Sequence, residues 1–479
     1  MIPEGRTYAG GLGVLVGDKM RAAEALGMDV DVLTFSYPLG YARQRIVDGE
    51  VVSEPTPWKP KALFRKVDEF DVNTKFGTIG VEILQRGHAF LVHTGLAERL
   101  YVEDSPEERL KKEVLLGKVA AELFERGEYD IMHMEESQTV FAGLELIARK
   151  GSSVKKHLAF TTHTPLAHGH ERWDSSLLTR IYGSPLGQGT VNLTKIAIRI
   201  SGVYNAVSKL HAHVMERQGF KMPYVTNGVH FETWAAQEIQ DEVGTPERMA
   251  YFDGDLEEIK AKNKERLVET VNKEAILNKE FSEDALTIAV ARRITGYKRN
   301  ALVLKNVGAL ERIAKDVPTQ IVLAGQAHPA DNTGIEQIKR ILNAIEYARH
   351  VRIAYIPWYD MGLAQTLLQG ADVWLFYPRE EDEACGTSWM KAMMNGAHVI
   401  ATEAGGVPEF CIHGVNAWLL SPGDDDAQAV RMYAIIRRLA GMFGKKEFYD
   451  VPTNAIRSSI HLLARRMMVD YKRLYRTLQ

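Results

Sequence analysis

Leu286-Thr287-Ile288-Ala289-Val290-Ala291-Arg292-Arg293-Ile294-Thr295-Gly296-Tyr297-Lys298-Arg299 is an apolar run that breaks into a cluster of four cations. Leu286–Val290 has the length and branched content of a strand, and the cluster interrupts a strand-loop-helix pattern. Repetition of that pattern builds a parallel sheet with crossover helices. Towards the C-terminus, strands are expected at Gln320–Ala324, Val351–Ile356, Val373–Tyr377 and His398–Ala401. Towards the N-terminus they are expected at Val30–Thr34, Val81–Leu84, Ala89–His93, Ile131–Met134, Leu158–Thr162 and Val203–Val207. Glu108–Arg126 reads as an amphipathic helix between them. Leu256–Lys279, rich in Glu and Lys, separates the two series as an ordered connector rather than a Gly/Ser tether. The expected class is α/β, with two doubly wound Rossmann-like domains, 1–238 and 239–479, facing a cleft. Ligands belong at the carboxyl ends of the strands in such folds. Phe448–Gln479 reads as helix and is expected to cross back to the first domain.

Composition narrows the functional classes. The chain has 479 residues, a net charge of −3 and 45% hydrophobic residues, so it has ample material for globular cores and no basic excess for nucleic acid or an anionic membrane. Two cysteines, Cys385 and Cys411, make neither a disulfide framework nor a CxxC metal site. No run approaches a membrane span, and Met1–Arg6 does not read as a leader. A cytoplasmic protein with no membrane and no nucleic-acid partner is expected.

Glu383-Ala384-Cys385-Gly386-Thr387-Ser388-Trp389-Met390-Lys391 carries the most specific chemistry. Gly386, Thr387 and Ser388 leave N–H groups and hydroxyls free for an anion at an expected helix start. A lysine in the first turns of that helix opposes the helix dipole unless it is neutral or imine-linked. The physical reading is pyridoxal phosphate joined to Lys391 as a Schiff base. The competing reading is a surface lysine after an ordinary cap, and the motif alone leaves both open. At the strand end, arginine offers a planar fork and lysine a mobile charge, so the four cations Arg292, Arg293, Lys298 and Arg299 suit phosphate; a solvated basic face is the competing reading.

Other candidates lie after expected strands or in glycine-rich loops. Ala9-Gly10-Gly11-Leu12-Gly13 enters a helical pattern at Leu15–Leu26, where glycines permit close backbone approach to an anion or simply make a tight turn. His133-Met134-Glu135-Glu136-Ser137-Gln138 puts two carboxylates at a strand end, fit for sugar hydroxyls or for an ordinary acidic turn. Phe160-Thr161-Thr162-His163-Thr164-Pro165 ends a strand in hydroxyls and an imidazole. His163, His168 and His170 lack the spacing of a zinc helix, so no metal is expected. Thr226-Asn227-Gly228-Val229 is a turn whose asparagine both donates and accepts.

These motifs together resemble the α-glucan (glycogen, maltodextrin) phosphorylases. The Glu383–Gly396 segment is similar to that family's cofactor segment, with Cys385 in place of the usual serine and Trp389 in place of Gly or Asn. Residues 10–13 resemble its Gly-Gly-Leu-Gly loop, and Tyr37–Gln44 its Tyr-x-x-Gly-(Tyr/Phe)-x-x-Gln stretch, taken as pocket wall or packing. Glu135–Phe141 resembles Asn-Glu-Gly-His-x-x-Phe, with Gln138 replacing the histidine. Asn205–His211 matches a kinship motif with no assignable role. Arg292–Arg299 resembles (Lys/Arg)-Arg-Ile-x-x-Tyr-Lys-Arg, with Thr295-Gly296 replacing the family's His-Glu.

The resemblance implies the glycosyltransferase B fold and reversible phosphorolysis of terminal α-1,4 bonds, yielding α-D-glucose 1-phosphate with retention. It assigns Lys391, Arg292, Gly386, Thr387, Ser388 and Gly11 to pyridoxal 5′-phosphate. It assigns Arg293 and Lys298 to substrate phosphate, and Lys391, Arg293, Lys298 and His163 to catalysis. Gly10, Gly11, Leu12, Glu136, His163, Asn227, Glu383, Ala384, Cys385 and Gly386 are implied substrate contacts. Partners would be a glucan or maltodextrin, inorganic phosphate or glucose 1-phosphate, and a second copy in a homodimer. Only Met1–Ala9 precede the glycine loop, so a short form without the regulatory segment is expected, active without AMP and hyperbolic in phosphate. The alternative is a retaining nucleotide-sugar transferase, which Ala404-Gly405-Gly406-Val407-Pro408-Glu409-Phe410 also resembles. Such enzymes carry a ribose-binding glutamate eight residues after the first; here that place holds Lys391.

Overall fold

The computed structural model describes residues 7–102 and 105–478. It divides into two compact units, one of residues 1–41, 55–226 and 467–479, the other of 42–54 and 227–466. The main change of unit falls at Thr226–Asn227, ahead of the expected 238/239 boundary. Two exchanges were not foreseen: residues 42–54 join the second unit and 467–479 the first.

The second unit is built on a seven-stranded sheet. Its order is Ile276–Leu277, Arg352–Ile356, Thr319–Ala324, Leu286–Ala291, Val373–Phe376, His398–Thr402 and Trp418–Leu420. All neighbours pair parallel except the first, an antiparallel edge strand. Numbered from Leu286–Ala291, the six parallel strands run 3-2-1-4-5-6, the doubly wound dinucleotide-fold order. Every residue of Leu286–Ala291 and of Thr319–Ala324 is buried, as strands covered on both faces require. The strand order reverses between Leu286–Ala291 and Val373–Phe376, so the loops leaving these two strands emerge side by side.

The hairpin Ala42–Val47 and Glu50–Pro55 turns at Asp48-Gly49, both left-handed at φ 50° and 79°. Buried Gln44 fastens it within the second unit. Its Nε2 donates to the Ala327 carbonyl at 3.0 Å, and its Oε1 accepts from the Ala327 N–H at 2.9 Å. Gln44 is thus a clasp, which is a packing role.

The first unit holds a parallel sheet in the order Val203–Asn205, Leu158–Thr161, Met132–Glu135. A four-stranded sheet runs Val32–Phe35, Ala89–His93, Gly77–Arg86, Arg65–Thr74. Only its first pair is parallel; the rest is antiparallel, unlike the expected parallel series. The helix Pro106–Arg126 starts where Ser105 accepts from the Glu108 N–H at 3.2 Å, with Pro106 in the first turn. It packs on Val140–Lys150 closely enough that a Cβ at Gly117 would fall 2.5 Å from Phe141.

The C-terminal stretch is not one helix. It runs as 3-10 turn Lys446–Tyr449, helix Asp450–Ser458, turn Ser459–Leu462 and helix Ala464–Tyr475. The break at Leu463 has a cause: the Val229 N–H donates to Leu462 O and the Ala464 N–H to Val229 O, both at 2.8 Å. The flanking amides are thereby spent on a bridge instead of a helix.

Candidate active site

The loops at the strand-order reversal carry the cation cluster and the Glu383 segment, and the structure brings them together. Lys298 Nζ lies 2.6 Å from Glu383 Oε2, with both side chains mostly buried. Burial alone would lower the Lys298 amine, but Glu383 and Tyr297 outweigh it and raise it. Arg292 is buried, its guanidinium 5.7 Å from the Phe376 ring centroid and 4.8 Å from that of Tyr377. Among the described residues, none of its three guanidinium nitrogens has a hydrogen-bond partner. Burial pushes its pKa down, against the pull of Tyr377 and Glu383. A buried cation with unmet donors is costly, and an anion would satisfy it. Arg293 is half-buried and makes no ion pair among the described residues.

The Glu383–Ser388 loop is held from several sides. Asn227 Nδ2 donates to the Cys385 carbonyl at 3.0 Å, while Asn227 Oδ1 is buried with no partner among the described residues. Gly405, at φ 56°, lies against the loop so closely that a Cβ would fall 2.9 Å from Cys385 Cα. A Cβ at Gly386 would fall 2.9 Å from the Phe376 ring. Both positions need glycine because the loop passes through so little space. Burial pushes the Cys385 thiol up to about 12, so it packs as a small apolar group.

Lys391 is buried on the helix Ser388–Met394. That helix has seven residues and Lys391 is the fourth, in its last turn as much as its first. The dipole argument for an unusual lysine therefore fails. What marks Lys391 is its surroundings: Nζ stands 3.4 Å from the centroid of the Trp234 ring. Asn395 sets that contact. Its Nδ2 donates to the carbonyls of Trp234 and Lys391, both at 2.8 Å, and its Oδ1 accepts from the Ala236 N–H at 2.8 Å. Thr387 precedes the helix, and the Ser388 hydroxyl accepts from Trp374 Nε1 at 3.3 Å. The second unit thus holds Arg292, Arg293, Lys298, Asn227, Glu383, Ala384, Cys385, Gly386, Thr387, Ser388 and Lys391.

The remaining candidates belong to the first unit. Gly10 is extended and Gly11 opens the helix Gly11–Ala25, followed by Leu12. A Cβ at either glycine would meet nothing within 4 Å, so packing does not demand glycine there. Glu136, at φ 70°, braces the next strand's loop. It accepts from the His163 N–H at 2.9 Å and from the Thr164 hydroxyl at 2.8 Å. Its carboxyl is raised, chiefly by burial. The His163 ring itself meets Glu135, with Nε2 2.6 Å from Oε2. The second Glu135 oxygen takes Lys19 Nζ at 2.6 Å. Lys19 and Tyr471 were missed, because nothing local in the sequence ties them to residue 135. Asn205 and Ser208 now have roles. Asn205 Oδ1 accepts from Thr161 Oγ1 at 2.8 Å, and Ser208 caps the helix Lys209–Arg217. Asp29, Asp31 and His88 bring their ligand atoms within 4.8 Å of one another, with His88 Nδ1 2.9 Å from Asp31.

Residues 241–411 match the family model for carbohydrate phosphorylase, and residues 6–226 that for the starch synthase catalytic domain. The chain is 31% identical to the glycogen phosphorylase of Aquifex aeolicus, over 97% of this chain and 83% of that protein. It is 29% identical to the maltodextrin phosphorylase of Thermococcus litoralis, over 93% and 64% of the two chains. It is 27% identical to an uncharacterised protein of Methanocaldococcus jannaschii, over 98% and 97%. The matched span 241–411 contains the cation loop, the Glu383 segment and Lys391, and by these likenesses the chain belongs to the carbohydrate phosphorylase family.

Proposed function

We propose that the chain is an α-1,4-glucan phosphorylase. It removes a terminal glucosyl unit with inorganic phosphate, giving α-D-glucose 1-phosphate with retention, and runs in either direction. The observation that carries this reading is buried Lys391, eight residues after Glu383, in the same unit as the cation loop at the strand-order reversal. A lysine cannot accept hydrogen bonds from a donor's ribose, whereas it can hold a carbonyl group.

The buried, unpartnered Arg292 guanidinium fits a phosphate-bearing cofactor, and pyridoxal 5′-phosphate is the one a buried lysine suits. Lys391, Arg292, Gly386, Thr387 and Ser388, all of the second unit, would hold it. When bound, it supplies a second phosphate group, able to exchange a proton with the substrate phosphate. Arg293 and Lys298 bind that substrate phosphate and offset the repulsion between two anions. Asn227 presents its unmet Oδ1 to a sugar hydroxyl, and Glu383, Ala384, Cys385 and Gly386 line the glucosyl site. Glu136 keeps the His163 loop in shape, and His163 meets the glucosyl unit. A homodimer and a cytoplasmic location complete the proposal.

A second reading is favoured by the starch synthase match over 6–226: transfer from a nucleotide sugar. One experiment separates the two. Protein incubated with pyridoxal phosphate is reduced with borohydride, mapped for label on Lys391 and assayed on maltooligosaccharides with phosphate. Label on Lys391 and phosphate-dependent release of glucose 1-phosphate are expected. Transfer from ADP-glucose by unlabelled, colourless protein would overturn the phosphorylase reading.

A further inference from the structure

The His163 ring is held by a carboxylate that the family-like reading does not use. Glu135 ends the strand Met132–Glu135, and its Oε2 is 2.6 Å from His163 Nε2. Its Oε1 is 2.6 Å from Lys19 Nζ, on the helix Gly11–Ala25. Lys19 in turn donates to the Tyr471 hydroxyl at 3.2 Å and stands 4.4 Å from that ring's centroid. His133 stacks edge-on against Tyr471 and Tyr475 and bonds to the Tyr475 hydroxyl at 2.6 Å. Glu136, next in sequence, is occupied with the His163 N–H and the Thr164 hydroxyl instead.

These contacts fix the charge of Glu135. Burial alone would push its carboxyl up, but the Lys19 cation and the hydrogen bond with His163 outweigh it and hold it well below the usual range. Burial would lower the Lys19 amine, yet Glu135 and Tyr471 raise it above its ordinary value. An ionised carboxylate only accepts hydrogen bonds. The ring nitrogen that faces it must therefore carry the hydrogen, and the other nitrogen is the one left to face a ligand. Among the described residues, His163 Nδ1 has no hydrogen-bond partner. An asparagine, which the resembling family segment has at this place, both donates and accepts and would leave the ring unset.

We propose that Glu135 is a positioning residue: it holds His163 as the Nε2–H tautomer, so that His163 meets the glucan through Nδ1 as the acceptor of a sugar hydroxyl. The proposal rests on the phosphorylase reading for the identity of that ligand. Lys19 keeps Glu135 charged, and so acts on the ring at one remove.

The test reads the tautomer directly. Full-length protein labelled with 15N-histidine, compared with His163→Asn for assignment, gives the long-range 15N–1H pattern of His163. The wild-type protein should show hydrogen on Nε2 and a bare Nδ1. Glu135→Gln, whose amide can face the ring either way, should mix the two tautomers. It should also lower kcat/KM for maltooligosaccharide roughly ten- to a hundredfold, the loss expected for one hydrogen bond to a charged group. That loss should fall on glucan KM and kcat rather than on phosphate KM. Hydrogen on Nδ1 in the wild-type protein would overturn the proposal even if Glu135→Gln failed to fold. So would a folded Glu135→Gln with wild-type spectrum and kinetics. The expected tautomer in a protein without phosphorolysis would place the failure in the reading of the function, not in the Glu135–His163 contact.

Discussion

Replacing Arg292 by methionine should have opposite effects on the stripped and the cofactor-loaded protein. Without an anion, three guanidinium nitrogens are buried beside Phe376 and Tyr377 with no partner among the described residues. An apolar side chain of similar volume relieves that burial, so stripped Arg292→Met should melt no lower than stripped wild type. With a phosphate in place, the guanidinium makes a two-bond fork. Charge-assisted bonds contribute about 1.5–3 kcal/mol each, and the two are not additive, so about 3 kcal/mol is a fair value for the fork. That is roughly a hundredfold in cofactor affinity. For a unit of this size it is about 6–12 °C in melting temperature. The assay is thermal unfolding of wild type and variant, each stripped, loaded with pyridoxal phosphate, or given pyridoxal without the phosphate. Wild type with pyridoxal should behave like the variant with the full cofactor. Equal cofactor-induced shifts in both proteins would refute the reasoning. A stripped variant melting several degrees lower would show that the guanidinium is structural.

Lys391→Ala should lose cofactor absorbance on gel filtration together with activity; phosphorolysis without added cofactor would overturn the assignment. Arg293→Ala, which breaks no ion pair among the described residues, should raise phosphate KM with little change in stability, and a defect confined to glucan would count against it. Lys298→Met leaves buried Glu383 without its partner and should cost roughly 3–5 kcal/mol of stability as well as phosphate use. Adding Glu383→Gln should restore the melting temperature but not the phosphate KM; if stability stays low, the pair is not what holds the loop. Lys260, buried and donating to the Gln369 and Ala371 carbonyls at 2.7 and 2.6 Å, has its amine pushed down to about 7 by burial. Between about 7 and the ordinary 10.5, the unfolded chain holds a proton that the folded one lacks, so stability rises with pH. Wild type should therefore gain about 2–4 kcal/mol over Lys260→Met between pH 7 and 10. A difference that does not change with pH would refute it.

Strands buried on both faces were legible because nothing but a continuous apolar run can fill them, as Leu286–Ala291 and Thr319–Ala324 show. Arg65–Thr74 was missed for the opposite reason: in a charged, mostly exposed strand only Phe70 and Val72 mark the face that meets the core. The hairpin around Asp48-Gly49 did carry a signal, since Asp-Gly suits a tight turn between strands. In the candidate site, Lys391 was singled out by its motif, and the dipole argument for it failed because the helix is short. Its neighbour Trp234 was invisible, although Asn395, which holds Trp234, stood in the quoted motif. Contacts such as Lys19 with Glu135 and Tyr471 join residues more than a hundred positions apart, and no local pattern encodes them.

The placement of residues 467–479 has a consequence for biosynthesis. Glu135 and Lys19 are made before residues 227–466 of the second unit, yet Tyr471, which shares Lys19's buried environment, is made after them. Until those residues leave the ribosome, the first unit carries an ion pair against an uncovered surface, while its sheets are already translated. Nascent chains stalled before residue 467 should therefore be cut by protease within the first unit, and released chains should resist. Protection at the earlier stall would mean that the unit closes without its final helix. Vectorial synthesis thus lets the first unit close only after most of the second has been made.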